Sequence, residues 1–383
     1  MLNLDRYQWH VSCMRLRVRI AGSWRWGGHI LGRRITPHST VIRCWGACLV
    51  YFAAAMCQGE VEHVAQGLTS VPLAVMQERP ANAPLFAALP SDRTGVDFQL
   101  QYPDVAKHVR EVIHLNVNGG ICTGDFDGDG LTDFYVTSAQ GGNRLYRNLG
   151  DFRFQDVTAD VGLEDKQFWG TGATFVDVDN DGDLDVYACG YRQPNRLYIN
   201  ERRESAGKIR FAEQADRYGV AFNGASMTMA FADVDNDGDL DGYLATTALQ
   251  PPPGTQFKVR FEGNRPIVLE EVQEYWQLVY LPGERAHRTE SGQFDHLYRN
   301  DGQRFTEITK VAGIDGPYFT LSATWWDYND DGFPDLYVAN DFMGPDYLYH
   351  NRGDGTFEDV TLISGTGYDR NGRPQSGPSV RPR

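Results

Sequence analysis

The sequence predicts an all-β chain that folds as a β-propeller of about four to five blades. Three observations carry this prediction. A nine-residue acidic turn occurs four times, each copy runs directly into a short apolar strand that contains a tyrosine, and the copies begin 52, 56 and 94 residues apart. Repeats of this length that consist of short strands and turns are typical of propellers and solenoids.

The acidic turns place oxygen-bearing side chains at alternate positions around a glycine. We call the segments 125–133, 177–185, 233–241 and 327–335 turns 1 to 4 and number their residues 1 to 9. Positions 1, 3, 5 and 9 offer side-chain oxygens, position 7 offers a backbone carbonyl, and glycine at position 6 permits a sharp bend. Because Ca²⁺ prefers such oxygen ligands, the sequence predicts about four calcium sites. The candidate ligands are Asp125, Asp127, Asp129, Leu131 and Asp133; Asp177, Asp179, Asp181, Asp183 and Asp185; Asp233, Asp235, Asp237, Asp239 and Asp241; and Asp327, Asn329, Asp331, Phe333 and Asp335.

Turn 4 differs from the others because Asn329 replaces a carboxylate at position 3. We expect its site to bind calcium most weakly, since it has one less negative charge. At position 7 of turns 2 and 3, Asp183 and Asp239 would bind through their carbonyls, so we expect their side chains to face water. Asp, Asn and Gly also form ordinary tight turns, but four copies in one register favour the metal interpretation.

The residues after position 9 exclude the helix-loop-helix class of calcium proteins. That class has a bidentate glutamate at position 12 and helices on both sides of its loop. Here position 12 is apolar in every copy, and a tyrosine follows position 9 by two residues. Such segments predict half-buried strands. The tyrosines are Tyr135, Tyr187, Tyr243 and Tyr337.

A second shared block completes each repeat. It reads NRLYRN, NRLYIN, DHLYRN and DYLYHN, beginning at Asn143, Asn195, Asp295 and Asp346. A phenylalanine that anchors a further strand comes next, at Phe154, Phe211, Phe305 and Phe357. A glycine closes the unit at Gly162, Gly219, Gly313 and Gly365. Each repeat therefore indicates one blade.

The third repeat carries an insertion at 249–293, which accounts for the longest spacing. We expect a mainly helical insertion that caps one face of the propeller, because apolar residues recur at helical spacing behind a proline. Alternatively the insertion recognises a partner, with Trp276 and Tyr280 as anchors, because loops on a rigid scaffold often carry function. The residues that suggest a helix are Pro266, Val268, Val272, Tyr275, Trp276 and Val279.

These features resemble the FG-GAP or VCBS repeat β-propellers, and among them the proteins that carry an ASPIC/UnbV domain near the C-terminus. The resemblance rests on the acidic turns, the DFYVT, DVYAC, DGYLA and DLYVA strands, and the LYRN and F-x-D-V-T blocks. It covers about residues 85–367. It implies four-stranded blades with calcium in a loop of each blade, as in the head of integrin α subunits. It further implies a secreted or surface protein that mediates contacts and shares no catalytic centre.

The end of the chain departs from this pattern. After Gly365 the repeat requires another strand and acidic turn, but residues 368–383 are rich in Pro, Arg and Ser. No ASPIC/UnbV domain follows. We therefore expect an incomplete propeller, an open arc with an exposed sheet edge, that ends in a disordered or truncated tail.

The start of the chain predicts export. Residues 1–59 form a leader with eight arginines and one acid, and it contains an apolar segment at 44–57. That segment is too short to span a bilayer and is typical of a signal peptide; a buried helix is the alternative. We expect a secreted, periplasmic or cell-surface protein with a linker at 60–84. Cys57 is a candidate lipid anchor.

Charge and motifs narrow the function. The net charge of −15 arises after the leader, largely in the acidic turns, and argues against nucleic-acid binding. The sequence has no GxSxG, no HExxH and no phosphate-binding glycine loop, so we expect no enzyme. Cys122 and Cys189 are expected to be buried thiols, with a disulfide as the alternative.

Two function classes remain from the sequence. The first is a calcium-stabilised interaction or adhesion module that contacts a protein partner. The second is a glycan-binding lectin or a polysaccharide-processing lyase. A lectin would need repeated aromatic pockets, which the four tyrosines could supply, although their place in strands favours packing in the core.

Overall fold

Short strands dominate the regular structure of the chain. The structure is a computed structural model that describes residues 86–104, 107–108, 118–202, 208–252, 254–279, 286–314, 316, 319–341 and 345–367. The predicted leader, signal-like segment, linker and tail lie outside the described residues. The chain divides into two units, Met1–Phe86 and Ala87–Arg383, and every element below belongs to the second.

Four groups of four antiparallel strands form blades 1 to 4. Blade 1 comprises β1 (Ile121–Gly124), β2 (Asp133–Val136), β3 (Arg144–Asn148) and β4 (Phe154–Asp156). Blade 2 comprises β5 (Gly170–Val176), β6 (Asp185–Pro194), β7 (Arg196–Asn200) and β8 (Phe211–Glu213). Blade 3 comprises β9 (Asn223–Ala232), β10 (Asp241–Thr246), β15 (His296–Asn300) and β16 (Phe305–Glu307). Blade 4 comprises β17 (Thr320–Trp326), β18 (Asp335–Asn340), β19 (Tyr347–Asn351) and β20 (Phe357–Asp359).

The blades follow one another as in a propeller. The first strands of successive blades are in contact, β1 with β5, β5 with β9, and β9 with β17. In addition, β6 pairs with β9, which joins blades 2 and 3 into one eight-stranded sheet. Each acidic turn links the first and second strands of its blade. The prediction of an all-β propeller is confirmed, with four blades among the described residues.

The apolar cores lie between neighbouring blades. One cluster joins Tyr135 and Leu145 of blade 1 to Val186 of blade 2, and equivalent clusters lie between blades 2 and 3 and between blades 3 and 4. Leu145, Leu197 and Leu297 are fully buried, and their counterpart in blade 4, Leu348, is 4% exposed. Complete burial of a leucine contributes about 1.5–3 kcal/mol. Stability therefore depends on contact between adjacent repeats.

The second shared block fixes the turn between the second and third strands. Asn143 donates a 2.8 Å hydrogen bond from its side-chain nitrogen to the hydroxyl of Tyr135, while its side-chain oxygen accepts the backbone N–H of Ser138 at 3.1 Å. Asn195 makes the same 2.8 Å bond to Tyr187 in blade 2. Tyr135, Tyr187 and Tyr243 are buried and Tyr337 is only partly so, which confirms for three of the four tyrosines the prediction that they pack in the core.

Glycines end the repeats where the backbone turns left-handed. Gly162, Gly219, Gly313 and Gly365 have φ angles of 87°, 77°, 79° and 74°, a region that favours glycine. Two of them follow short helices, α2 (Ala215–Tyr218) and α3 (Thr361–Ser364). A further four-residue helix, α1 (Ser91–Thr94), precedes blade 1. Among the described residues, no helix is long and apolar enough to cross a membrane.

The described residues of the insertion form strands rather than an α-helix, so the prediction of a mainly helical insertion is wrong. It forms two hairpins, β11 (Val259–Glu262) with β12 (Arg265–Val268), and β13 (Trp276–Val279) with β14 (His287–Glu290). A single 3₁₀ turn, Glu270–Val272, lies between them. Valine and aromatic residues favour strands, and Gly263, with a φ of 62°, allows the two-residue hairpin turn. Pro266 lies in a two-stranded ribbon, where the lack of an N–H is tolerated.

Trp276 starts β13, and its ring lies against Phe257 with 6.0 Å between centroids. The other predicted anchor, Tyr280, lies outside the described residues. Cys122 and Cys189 are free thiols in two different blades, so the alternative of a disulfide is not realised. Cys189 is buried, as predicted, whereas Cys122 is only partly so.

Candidate metal centres

Three acidic turns bring carboxylates together. In each of turns 1 to 3, the residues at positions 1, 3 and 9 place one oxygen apiece within 4.8 Å of the other two. The groups are Asp125, Asp127 and Asp133; Asp177, Asp179 and Asp185; and Asp233, Asp235 and Asp241. Such a set of oxygens is suited to a hard cation. The position 5 carboxylates lie outside these three groups, and their role as ligands stays a prediction.

The carboxylate at position 9 is buried and fixed by backbone donors. Asp185 accepts the N–H of Val178 at 3.0 Å through one oxygen and the N–H of Asn200 at 2.8 Å through the other. Asp241 accepts the N–H groups of Val234 and Asn300 in the same way, at 3.0 and 2.7 Å. Turns 1 and 4 repeat the pattern. Strand geometry thus orients the innermost candidate ligand before any ion arrives.

Position 1 holds the loop closed. Asp233 accepts the N–H of Asp237 at 3.0 Å and that of Gly238 at 3.1 Å, and the equivalent pairs of bonds occur in all four turns. The side-chain carboxylate at position 5 also accepts the backbone N–H of position 7, as Asp237 does from Asp239 at 2.9 Å. The position 6 glycine has a φ of 97° in turn 3, which a larger residue would adopt only with strain.

Burial makes the ionised carboxylates unfavourable. It raises the pKa of Asp133 to about 6, of Asp241 to about 7 and of Asp185 to about 8, and the neighbouring aspartates raise each pKa further. The backbone donors act in the opposite direction but do not offset burial. A bound cation would favour the ionised form of all three carboxylates in each turn.

An oxygen in turn 3 points to such a cation. Oδ1 of Asp235, at position 3, is buried and has no hydrogen-bond partner among the described residues. A buried acceptor without a partner is costly, about 1–3 kcal/mol or more when it is charged. The residues present therefore fit a metal ion, because coordination would satisfy this oxygen.

Turn 1 already contains a protein cation. Nε of Arg147 lies 2.5 Å from Oδ2 of Asp127, and its Nη2 lies 3.1 Å from Oδ2 of Asp129. The residue at the same place in blade 2 is Ile199, and in blade 3 it is Arg299, which pairs with Asp301 instead. Turn 1 therefore has a guanidinium in direct contact with its position 3 carboxylate, whereas Arg299 attracts Asp235 in turn 3 without an ion pair and turn 2 has an arginine only at the position 7 side chain.

Turn 4 has a different set of donors. Its position 3 residue, Asn329, donates from its side-chain nitrogen to Asp331 at 2.8 Å. Nδ1 of His350 lies 3.1 Å from Oδ1 of the buried Asp335. With an amide at position 3, this turn has two carboxylates at positions 1, 3 and 9 where each of the others has three, which agrees with the reduced charge read from the sequence.

The expectation that the side chains of Asp183 and Asp239 face water is wrong for Asp183, whereas Asp239 is partly exposed. Asp183 is buried, with its Oδ1 2.6 Å from Nη2 of Arg202. Oδ1 of Asp239 accepts a 2.6 Å hydrogen bond from the side-chain nitrogen of Asn180. Both contacts reach another blade or the loop beyond β7, and turn composition alone does not reveal them.

Sequence reasoning missed several residues around the turns. Arg147 and His350 occupy the same position of the second shared block, between its tyrosine and its final asparagine. That block follows position 9 in the chain, and the pairing of β2 with β3 and of β18 with β19 returns it to the turn. Repeat alignment could have identified this position as a neighbour of the ligands.

Comparisons with known proteins agree with the repeat architecture. The model of the FG-GAP-like repeat matches residues 125–188, 177–243 and 327–378, segments that together include all four acidic turns. The chain is similar to cartilage acidic protein 1 of Xenopus tropicalis, with 27% identity over 154 residues, 40% of this chain and 23% of the relative. The human protein of that name is 28% identical over 153 residues, 39% of this chain and 23% of the relative. The matched region thus spans about a quarter of the length of these relatives.

Among solved structures, the chain is similar to a lectin of Agrocybe aegerita studied for specific recognition of non-reducing terminal N-acetylglucosamine. The TM-score is 0.28 and the identity 15%, over 63% of this chain and 65% of the lectin chain. A similarity of this degree carries no argument about fold or function.

Proposed function

Since the chain is a β-propeller protein with FG-GAP-like repeats, we propose that it is a calcium-stabilised extracytoplasmic interaction module without a catalytic function. The observation that carries the calcium assignment is the convergence of three carboxylates in each of turns 1 to 3, together with the buried, unsatisfied Oδ1 of Asp235. Calcium would supply electrostatic crosslinking of the turn, with no chemistry of its own.

In this proposal positions 1, 3, 5 and 9 bind the ion through side-chain oxygens, and position 7 binds it through its carbonyl. For turn 3 these residues are Asp233, Asp235, Asp237, Asp239 and Asp241. Turn 4, with Asn329, binds most weakly. Extracellular calcium modules commonly bind at about 10⁻⁴ to 10⁻³ M, and affinities in that range would keep the sites loaded outside the cell and empty within it.

The calcium assignment is tested by stoichiometry. We expect the purified 383-residue chain to bind about four calcium ions in equilibrium dialysis, and Asp235→Asn to bind about one fewer. Asp216→Asn, which removes an exposed acid from α2, serves as the control and should bind as the wild type does. The assignment would be contradicted if Asp235→Asn bound as many calcium ions as the wild type. It would also be contradicted if the wild type bound magnesium as well as it binds calcium.

We assign partner contact to the insertion, because it is the part of the described chain that departs from the repeat. Its two hairpins enclose an open groove of about 400 Å³ lined by Ile267, Val268, Trp276 and Leu278. Phe261, at the edge of the first hairpin, has 67% of its surface exposed. A protein that presents an apolar side chain fits this surface.

The partner assignment is tested by comparing variants in one capture experiment. Phe261→Ser should lose a protein that the wild-type chain retains in calcium, while its calcium stoichiometry stays unchanged. Phe152→Ser, which alters an equally exposed phenylalanine of blade 1, should retain that protein. If both variants retained the partner protein, the insertion would not be its binding surface.

The alternative of a glycan-binding protein has less support. The repeated tyrosines would have to be accessible between the blades, but Tyr135, Tyr187 and Tyr243 are at most 2% exposed. Their hydroxyls are engaged by the asparagine or aspartate of the second shared block. These three tyrosines are therefore not available to stack on a sugar, and a repeated pocket would need more than Tyr337, which is only partly buried.

A further inference from the structure

Neighbouring acidic turns are joined directly by side-chain amides. Asn180, at position 4 of turn 2, donates from its side-chain nitrogen to the carbonyl of Gly238 at 3.1 Å. Asn236, at position 4 of turn 3, donates in the same way to the carbonyl of Gly332 in turn 4, also at 3.1 Å. Each link therefore runs from position 4 of one turn to position 6 of the next.

The acceptor in each link is the carbonyl of the position 6 glycine, a residue that also helps to shape the proposed calcium site of its own turn. The N–H of Gly332 donates to Asp327 at 2.8 Å, so the glycine is tied to the position 1 carboxylate of its own turn. In turn 3 the amide of Asn180 also reaches Oδ1 of Asp239, the residue whose carbonyl is the proposed ligand at position 7. An ion that orders positions 1 to 7 of one turn would thus order the acceptors used by the preceding turn.

A second series of links runs alongside the first. Asn300 donates from its side-chain nitrogen to the carbonyl of Val178 in turn 2 at 2.9 Å, while its backbone N–H donates to Asp241 in turn 3 at 2.7 Å. Asn351 likewise donates to the carbonyl of Val234 in turn 3 at 2.8 Å and through its backbone N–H to Asp335 in turn 4. Each asparagine therefore bonds to two successive turns.

We propose that turns 2, 3 and 4 bind calcium cooperatively, with the coupling carried by Asn180 and Asn236. This inference rests on the proposed calcium function. The first ion orders one turn and with it the hydrogen-bond partners of the neighbouring turn. The next ion then binds a turn that is already partly ordered, so its binding costs less conformational entropy. Coupling of this kind typically changes affinity by about 5-fold or more.

Turn 1 shows how the link can be removed without disturbing the loop. Its position 4 residue is Gly128, with a φ of 70°, and Asn180 and Asn236 have nearly the same backbone angle, 57° and 61°. Glycine adopts this conformation without strain. Replacement of both asparagines by glycine therefore deletes the amides and retains the shape of the turn.

The test is a calcium titration of the full chain that resolves the individual sites. The amide resonances of Gly182, Gly238 and Gly332 report each turn, because each N–H donates to the position 1 carboxylate. In the wild type we expect the three resonances to titrate together and total binding to have a Hill coefficient above 1. In the Asn180→Gly, Asn236→Gly double variant, which keeps the links of Asn300 and Asn351, we expect the three midpoints to move apart and the Hill coefficient to fall, with binding weaker by about 5-fold at one site or more and unchanged stoichiometry.

The control is Asp330→Gly, because Asp330 also occupies position 4 with a φ of 60° but lies in turn 4, where it forms neither link. It should titrate as the wild type does. Independent midpoints in the wild type, or concerted titration in the double variant, would overturn the coupling while leaving calcium binding intact. Binding of no calcium by either protein would instead overturn the proposed function and this inference with it.

Discussion

Tyr243 donates a 2.7 Å hydrogen bond through its hydroxyl to the buried carboxylate of Asp295. The same carboxylate accepts the backbone N–H of Thr246 at 2.6 Å and the hydroxyl of Thr320 at 2.6 Å. The equivalent residue of blade 1 is Asn143, which donates to its tyrosine instead. Blade 3 thus has an ionisable group where blade 1 has a neutral amide.

Asp295→Asn is expected to change the pH dependence of stability. Burial raises the pKa of Asp295 to about 6, so between about pH 4 and 6 the folded chain holds a proton that the unfolded chain has lost. The contribution of Asp295 to the free energy of unfolding therefore falls as pH rises through this window. The free energy of unfolding of Asp295→Asn relative to that of the wild type should therefore rise by up to roughly 3 kcal/mol between pH 4 and 7. Urea unfolding at fixed calcium measures it, and a difference that is constant with pH would contradict the prediction.

Arg147→Ile is expected to strengthen calcium binding at turn 1 several-fold. The guanidinium lies against Asp127 and Asp129 and competes with an ion for them. Isoleucine is the residue found at this place in blade 2. Arg299→Ile is the matched control and should have a smaller effect, because Arg299 pairs with Asp301 outside its turn. Each variant is measured by titration of the glycine amide of its own turn, Gly130 for Arg147→Ile and Gly238 for Arg299→Ile, and equal effects would show that Arg147 does not compete.

Gly172→Ala is expected to destabilise the contact between blades 2 and 3 by about 1–3 kcal/mol. A Cβ at this position in β5 would lie 2.1 Å from the carbonyl oxygen of Met227 in β9, and backbone cannot give way easily. Gly124→Ala is the control, because its Cβ would meet side-chain atoms of Leu184 and Phe175, which can adjust. Thermal unfolding in saturating calcium should rank Gly172→Ala as the less stable variant.

The propeller thiols are expected to react slowly in the folded protein. Burial raises the pKa of Cys122 to about 12 and raises that of Cys189 as well, so the reactive thiolate is scarce at pH 8. Iodoacetamide followed by peptide mass mapping should find Cys189 unmodified until urea unfolds the chain. Rapid labelling of Cys189 in the native protein would mean that blade 2 opens readily.

The repeating parts of the molecule were predictable from local sequence. The acidic turn, the strand with its tyrosine and the closing glycine each depend on residues that are close in the chain, and they recur in register. The prediction of buried tyrosines followed from their place in the strands, and it holds for Tyr135, Tyr187 and Tyr243 but only in part for Tyr337.

The insertion and the contacts between turns could not be predicted in the same way. The spacing of Val268, Val272 and Trp276 satisfies a helix, but their β-branched and aromatic side chains also suit a strand, and the turn at Gly263 decides between the two. The link from Asn180 to Gly238 joins residues 58 positions apart and depends on how adjacent blades approach one another. In the sequence, this link is indicated only by the asparagine that turns 2 and 3 share at position 4.

The pairing of β6 with β9 has a mechanical consequence. Tyr191 aligns with Ala225, and Pro194 with Asn223, so the backbones of blades 2 and 3 continue into one another. Blades 1 and 2 have no such strand pairing among the described residues and are joined by single hydrogen bonds, such as the backbone N–H of Gly170 on the carbonyl of Ser138 at 2.9 Å and the hydroxyl of Thr137 on the carbonyl of Thr171. A tensile load would therefore separate blade 1 from blade 2 by breaking single hydrogen bonds one after another. Separation of blades 2 and 3 would require the hydrogen bonds between β6 and β9 to break together.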